Sequence, residues 1–340
     1  LRHIVSLRAL KKLLFFLLVL VFFVRPVCAQ QIALSIYPTL LETVIKPGKS
    51  IMIAYRIGNL ADPTLMRVRV LPFEPQGDTG TAIIREEESG PVRFSLDNAG
   101  LQLNEPFFLK TNQSQQILLR IRIPEGAPEG DYYYTVLAET EPPPTVEGST
   151  SSRARASIGS HILITVTSSG NRDIKGNISF FDVLSRYTVH LFGRTVRLFD
   201  TFDAIPVVLK VANTGSNVFK PQGNLSLRGN FGETAQYDII PYNVLRESSR
   251  LMTATPSASV SCSARNGPSY CRTPTTLVLS GFFLGKYTLS ANVNFGEETP
   301  NLYSSISFFA LPFKFILIMG VTTILTLLII RKVKEEEEEV

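Results

Sequence analysis

At 340 residues, 44% of them hydrophobic and 19% charged, the chain is long enough to bury two cores of ordinary size. Its net charge of +5 is an end effect. Nine of the 34 bases lie before Gln30 or after Pro312 and five of the 29 acids form the run Glu335 to Glu339, which leaves 25 bases against 24 acids between them. That near-neutral middle gives nucleic acid no electrostatic footing and excludes it as the expected partner.

Residues 1–29 read as a signal peptide. Arg2, Arg8, Lys11 and Lys12 precede an apolar stretch from Leu13 to Val24, and Val27-Cys28-Ala29 supplies a cleavage site. The stretch would rise only about 18 Å as a helix, short of the ~30 Å hydrocarbon core of a bilayer.

From residue 30 onward, apolar residues alternate with polar ones, the pattern of strands with one buried face. Ile51, Ile53, Tyr55 and Ile57 share one face, as do Met66, Val68 and Val70, and later Ile117, Leu119, Ile121 and Ile123. Lys46-Pro47-Gly48-Lys49 suits a type II turn, with proline fixing the first central residue and glycine free to take positive φ at the second. Pro124-Glu125-Gly126 and Pro128-Glu129-Gly130 punctuate the chain in the same way before a tyrosine-rich strand, Tyr132 to Ala138. Glu141 to Ser157 is rich in Pro, Ser, Thr and Gly and reads as a surface loop, and Ile158 to Thr167 as a closing strand.

An internal repeat follows. One strand ends at Asn59 and another at Asn213, and Gly130-Asp131-Tyr132 and Gly285-Lys286-Tyr287 each open a later strand. Tyr132 lies 73 residues beyond Asn59, and Tyr287 lies 74 beyond Asn213. Matching separations at an offset of one domain length predict two copies of one fold. The expected fold class is therefore all-β, with two tandem immunoglobulin-like β-sandwich domains at 30–168 and 169–310.

The second copy carries an insert, Thr253 to Thr276, with Cys262 and Cys271. In an exported chain a pair this close is expected to form a local disulfide. Residues 311–330 then give a transmembrane helix, and Arg331, Lys332 and Lys334 open a charged tail, 331–340. The positive-inside rule places that tail in the cytoplasm and the bulk of the chain outside, on a single-pass membrane protein.

No residue set suggests catalysis, a metal or a cofactor, and the chain is expected not to be an enzyme. His161 and His190 sit in strand patterns with no serine or cysteine motif beside them. Glu86-Glu87-Glu88 cannot converge from one strand, because adjacent side chains point to opposite faces. Arg120 and Arg122, with Tyr132, Tyr133 and Tyr134, form the candidate binding surface, basic and aromatic, for a cell-wall polymer or a surface protein. The same residues could instead form the packed face between the domains.

Tyr37-Pro38, Lys46-Pro47-Gly48, Ile57-Gly58-Asn59, Ile123-Pro124, Gly285-Lys286-Tyr287 and the Arg331-Lys332 stop resemble, in order and setting, the bacterial WxL-interacting surface proteins. That resemblance implies a first domain associated with peptidoglycan and a second with host or partner proteins. Where that family tends to have a glycine-rich strand, this chain has Asp131-Tyr132-Tyr133-Tyr134. The first domain also looks like the pilus-chaperone type of sandwich, with Gln116 to Ile123 as its alternating strand. Two alternatives accompany the surface-protein reading. An accessory subunit of a secretion or pilus machine would show an open sheet edge along Gln116 to Ile123, and a wall hydrolase would need a cleft with paired carboxylates or a metal.

Overall fold

The computed structural model describes residues 33–87, 89–141, 155–191, 193–257, 274–296 and 299–338. The expected signal peptide, the Cys262–Cys271 pair and Glu88 lie outside the described residues.

The first ten strands are β1 (Leu34–Tyr37), β2 (Leu40–Ile45), β3 (Ser50–Asn59), β4 (Thr64–Gln76), β5 (Thr81–Ile84), β6 (Arg93–Leu96), β7 (Pro106–Leu109), β8 (Gln113–Arg122), β9 (Gly130–Glu141) and β10 (Ser157–Val166). They form two sheets, ordered β1-β3-β8-β6 and β2-β10-β9-β4-β5, with β7 also on β4. The alternation read from sequence sets which side chains meet between them. Tyr55, Ile57, Ile117, Leu119 and Ile121 from one sheet pack on Met66, Val68, Val136, Ile162 and Ile164 from the other, all buried. The turn after β2 is as expected: Lys49 N donates to Lys46 O at 3.1 Å and Gly48 takes φ +77°.

The next strands are β11 (Gly176–Val183), β12 (Tyr187–Leu191), β13 (Arg194–Asp200), β14 (Ile205–Asn213), β15 (Gln222–Gly229), β16 (Thr234–Ile240), β17 (Ser249–Leu251), β18 (Thr253–Thr255), β19 (Leu277–Leu279), β20 (Gly285–Asn294) and β21 (Leu302–Leu311). They form a second pair of sheets, β11-β14-β17 with β19 also on β14, and β12-β13-β21-β20-β15-β16-β18. A separate core lies between them, built around Val207, Leu209, Leu225, Leu289, Ala291 and Phe308.

The two sheet pairs repeat one topology. In the first, β1 pairs antiparallel with β3, after which the chain changes sheets and β2 pairs parallel with β10. In the second, β11 pairs antiparallel with β14 and β13 parallel with β21. The repeated asparagines have one job. Asn59 Nδ2 donates to Asp62 O at 2.7 Å while its Oδ1 accepts from Ala61 N at 3.1 Å. Asn213 Nδ2 donates to Asn217 O at 2.9 Å and its Oδ1 accepts from Gly215 N at 2.9 Å. Each buried amide thus replaces ladder partners where its strand stops, which is why both copies keep it.

Helix α1 (Phe313–Glu338) follows β21 with only Pro312 between them. Its segment Phe313–Arg331 is 19 residues of mean hydropathy 2.4 with none of it buried, and at about 1.5 Å per residue it is long and apolar enough to cross a membrane. Two boundaries differ from the sequence reading. Leu311 closes β21 rather than opening the helix, because it pairs with Asp200 of β13. The glutamate run, expected as a solvated tail, is helical as far as Glu338, in keeping with the good helix propensity of glutamate.

Candidate functional site

The outer face of the β10-β9-β4 sheet meets the second sheet pair. Phe73, Tyr133 and Leu163 point away from their own core and are buried against Val218 and Leu245. Phe73 stacks on Tyr133 with ring centroids 5.7 Å apart. The alternation of β4 explains this position: Met66 and Val68 face inward, while Leu71 and Phe73 are buried on the opposite side of the strand.

Polar groups fix the junction. The Asp131 carboxylate, 5% exposed, accepts from Thr165 Oγ1 at 2.7 Å, Asn217 Nδ2 at 2.9 Å, Tyr133 Oη at 3.2 Å and the Val218 amide. Tyr133 Oη also accepts from Arg246 N at 2.9 Å. Burial, helped by the neighbouring Asp131 charge, pushes the Tyr133 phenol well above its ordinary value. Glu42 accepts from Lys220 Nζ at 2.7 Å and Asn243 Nδ2 at 2.6 Å. Partial burial alone would raise its carboxyl, but these two partners outweigh it and hold the group below the ordinary range. At the tip of the β4–β5 hairpin, Asp78 pairs with Lys210, and its carbonyl accepts from Leu251 N at 2.7 Å.

Between the hairpin and the second sheet pair lies a cleft of about 360 Å³. Leu40, Phe73, Leu163, Pro241, Tyr242 and Leu245 give it apolar walls, and Lys220, His161 and Arg250 bring nitrogen to it. Lys220 is taken by Glu42. His161 Nδ1 lies 2.9 Å from Thr135 Oγ1, its ring stands 4.6 Å from that of Phe73, and burial lowers its affinity for a proton. It contributes a neutral wall.

Arg250 differs. Its guanidinium lies over the Tyr242 ring at 4.8 Å, donates to Asn243 O at 2.7 Å, and packs so close to Gly80 that a Cβ there would fall 2.5 Å from Nη2. Burial disfavours its charged form, yet a guanidinium stays charged in proteins. No carboxylate is paired with it among the described residues. The cleft therefore holds one half-buried, fixed positive charge beside apolar walls, an arrangement suited to an anionic group carried next to an apolar one.

The candidate surface read from sequence does not form. Arg120 and Arg122 are on β8, whereas Tyr132, Tyr133 and Tyr134 are on β9 in the facing sheet, with the core between. Arg120 pairs with Asp97, Nε to Oδ1 2.8 Å, and Arg122 is exposed at the end of its strand. Tyr132 and Tyr134 lie against the core. Tyr134 Oη donates to Ser89 O at 3.0 Å, its ring meets Phe94 edge-on at 4.8 Å, and burial pushes its phenol up to about 12. Only Tyr133 takes the alternative role, as a buried part of the face between the two halves.

The edge along Gln116 to Ile123, which an accessory subunit would show open, is closed as well. β3 covers one side of β8, and the other is met by β6 and by Asn98, whose Oδ1 accepts from Leu118 N at 2.6 Å. Glu86 pairs with Arg69 at 2.6 Å, and His190 is exposed on β12. No group of three or more His, Cys, Asp or Glu side chains converges among the described residues. Sequence reasoning missed Arg250, Tyr242 and Lys220, because nothing local marks a residue whose role depends on the other half of the chain.

No family model matches the sequence and no curated protein is significantly similar to it. Several solved structures are similar at low level. The class 5 fimbriae chaperone CfaA is 12% identical, over 81% of this chain and 99% of that one, with TM-score 0.34. The E. coli chaperone DraB is 14% identical over 81% and 99%, with TM-score 0.35. A structure of Salmonella enterica SafA pilin with the SafB chaperone is 12% identical over 82% and 99%, also with TM-score 0.35. At these values the likeness carries no argument from those proteins' activities to this chain.

Proposed function

We propose that the chain is a membrane-anchored, non-enzymatic binding protein. Its two immunoglobulin-like sandwiches, 30–168 and 169–310, project from the membrane on the outer side after removal of the signal peptide. They hold a segment of a protein partner in the cleft between them, with a carboxylate of that segment on Arg250. The repeated sheet-switching topology supports the tandem reading, and the apolar helix supports the anchor. The single observation that carries the ligand class is the half-buried Arg250 guanidinium, to which no acid is paired among the described residues. A carboxylate there gains charge-assisted hydrogen bonds of about 1.5–3 kcal/mol each and relieves a cost the free protein bears.

A protein segment fits better than a wall polymer, because the basic and aromatic surface a polymer would have used is split across two sheets. The test is binding of the detergent-solubilised full chain to immobilised extended peptides with free or amidated carboxyl termini and with or without internal acids. Arg250→Gln is expected to weaken the best ligands about tenfold, or about 1.4 kcal/mol, and Arg250→Lys to weaken them less. Equal binding by all three proteins would overturn the reading.

A second reading, a chaperone-like accessory subunit, is favoured by a different feature. Among the described residues no strand pairs with Ser157 to Ser160 of β10 on the side away from β9, so a peptide could add a strand there. Ser157 is exposed and its amide lies on the same side of β10 as that of His161, which donates to Thr39 O away from β9. Substituting Ser157 with proline, which removes a donor from the open side, would then reduce peptide capture while Arg250→Gln would not.

A further inference from the structure

Three phenylalanine rings stand in the open at one end of the second sheet pair, and it is the end from which α1 leaves. Phe202 is 76% exposed, Phe231 73% and Phe282 62%. They come from three different loops, between β13 and β14, β15 and β16, and β19 and β20.

Strand register places all three together. Asp200 lies opposite Leu311 and Gly285 opposite Ala310, at the last residues of β21. Phe283 N donates to Thr201 O at 2.9 Å and Asn230 N to Lys286 O at 3.1 Å, which ties the three loops to that end. The Phe202 and Phe282 rings meet edge-on at 5.4 Å. A Cβ on Gly285 would lie 3.5 Å from the Phe231 ring.

The first turn of α1 is clasped at the same level. Lys314 N donates to Asp200 Oδ2 at 3.0 Å, and Lys314 Nζ pairs with Asp203, the residue after Phe202. Tyr187, 44% exposed, meets Phe313 edge-on at 5.4 Å. Lys314 is thus held beside Phe202 where the apolar run Phe315 to Ile330 begins.

Exposed aromatic rings cost free energy in water unless something covers them. Phenylalanine and tyrosine at the start of an apolar helix match the boundary between headgroups and acyl chains. The charges agree: Arg186 and Lys286 are exposed at this end, while the acids there are turned back, Asp203 to Lys314 and Glu233 to the Phe231 amide at 3.1 Å.

From this we infer that the helix-proximal end of the second sheet pair is a lipid-docking surface, with Phe202, Phe231 and Phe282 seated in the outer boundary of the bilayer that α1 crosses. The chain is held by three loops as well as by its helix, and the sandwich has a defined seat on the membrane rather than hanging from a swivel. The inference rests on α1 spanning a bilayer and is independent of what the cleft binds.

The sequence has no tryptophan, so single replacements report without background. Phe202→Trp, Phe231→Trp and Phe282→Trp, each in the full chain, are reconstituted into vesicles of phosphatidylcholine and phosphatidylglycerol. Quenching by lipids brominated at shallow and deep acyl positions is then compared. Two reference proteins bracket the result. Ile324→Trp lies within α1. Tyr303→Trp replaces a ring 73% exposed at the far end of β21, eight strand residues or roughly 26 Å from Leu311.

The three loop tryptophans are expected to emit to the blue of Tyr303→Trp and to be quenched at least about twofold more by shallow bromines, at the ~5–10 Å depth of interfacial side chains. If they behave like Tyr303→Trp while Ile324→Trp is quenched by deep bromines, the helix spans and the docking surface is refuted. If Ile324→Trp also escapes quenching, the spanning reading fails and takes the inference with it.

Discussion

Replacing Asp131 with alanine removes the acceptor at the centre of the contact between the two sheet pairs. Two of its four bonds, to Asn217 Nδ2 and the Val218 amide, cross from one half to the other, and the site is 5% exposed. Hydrogen bonds to a charged group contribute about 1.5–3 kcal/mol each, and the donors left behind keep their desolvation cost, so Asp131→Ala is expected to cost about 3–5 kcal/mol. Asn217→Ala loses the crossing bond and the acceptor for Asp173 N at 2.7 Å. Only the shared bond is counted twice when the single effects are added, so the double-mutant cycle isolates it at about 1.5–3 kcal/mol. Guanidinium denaturation of the detergent-solubilised full chain, followed by near-ultraviolet circular dichroism of the tyrosines, measures all four proteins. A coupling energy below about 0.5 kcal/mol would show that the Asp131–Asn217 bond does not help join the halves.

Two further outcomes follow from single residues. Glu42 is held below its ordinary value of 4.5, so its contribution is complete above that pH and is lost as the pH falls through the folded value; stability measured against pH should therefore decline less steeply on acidification in Glu42→Gln than in the native chain. Gly223 has φ +145° and a Cβ there would lie 1.9 Å from the Asn292 carbonyl, so Gly223→Ala should cost more than about 3 kcal/mol. Gly232→Ala, at φ +91° with open space around it, should cost only about 1 kcal/mol of backbone strain, and melting temperatures of the two variants compare them directly.

What the sequence made legible was local or periodic. The alternation of Ile51 to Ile57 and of Ile117 to Ile123 identified core faces, because a strand's period of two is a property of its own residues. The Lys46-Pro47-Gly48-Lys49 turn was readable for the same reason, and the paired Asn59 and Asn213 were visible because their chemistry repeats with the fold. The binding surface was not readable. Arg120 and the tyrosines look alike as a basic and aromatic set, yet which sheet each strand joins depends on pairing between residues far apart in sequence. Tyr132 to Tyr134 also sit on a strand whose two faces are both covered, one by the core and one by the other half, so alternation no longer separates inside from outside. Arg250 gains its meaning only from Gly80, 170 positions earlier in the chain.

The carbonyl of Asp78, bonded to Leu251 N, has the first half supplying main-chain hydrogen bonding to a strand of the second. Separating the halves between β10 and β11 would strand that amide, leave Lys210 without its counter-ion and bring the Asp131 pocket into solvent. The halves resemble duplicated modules by descent of pattern, but each lacks groups the other provides. Excised singly, they would be incomplete pieces of one cooperative body, and separate expression would yield less stable products than the covalent whole.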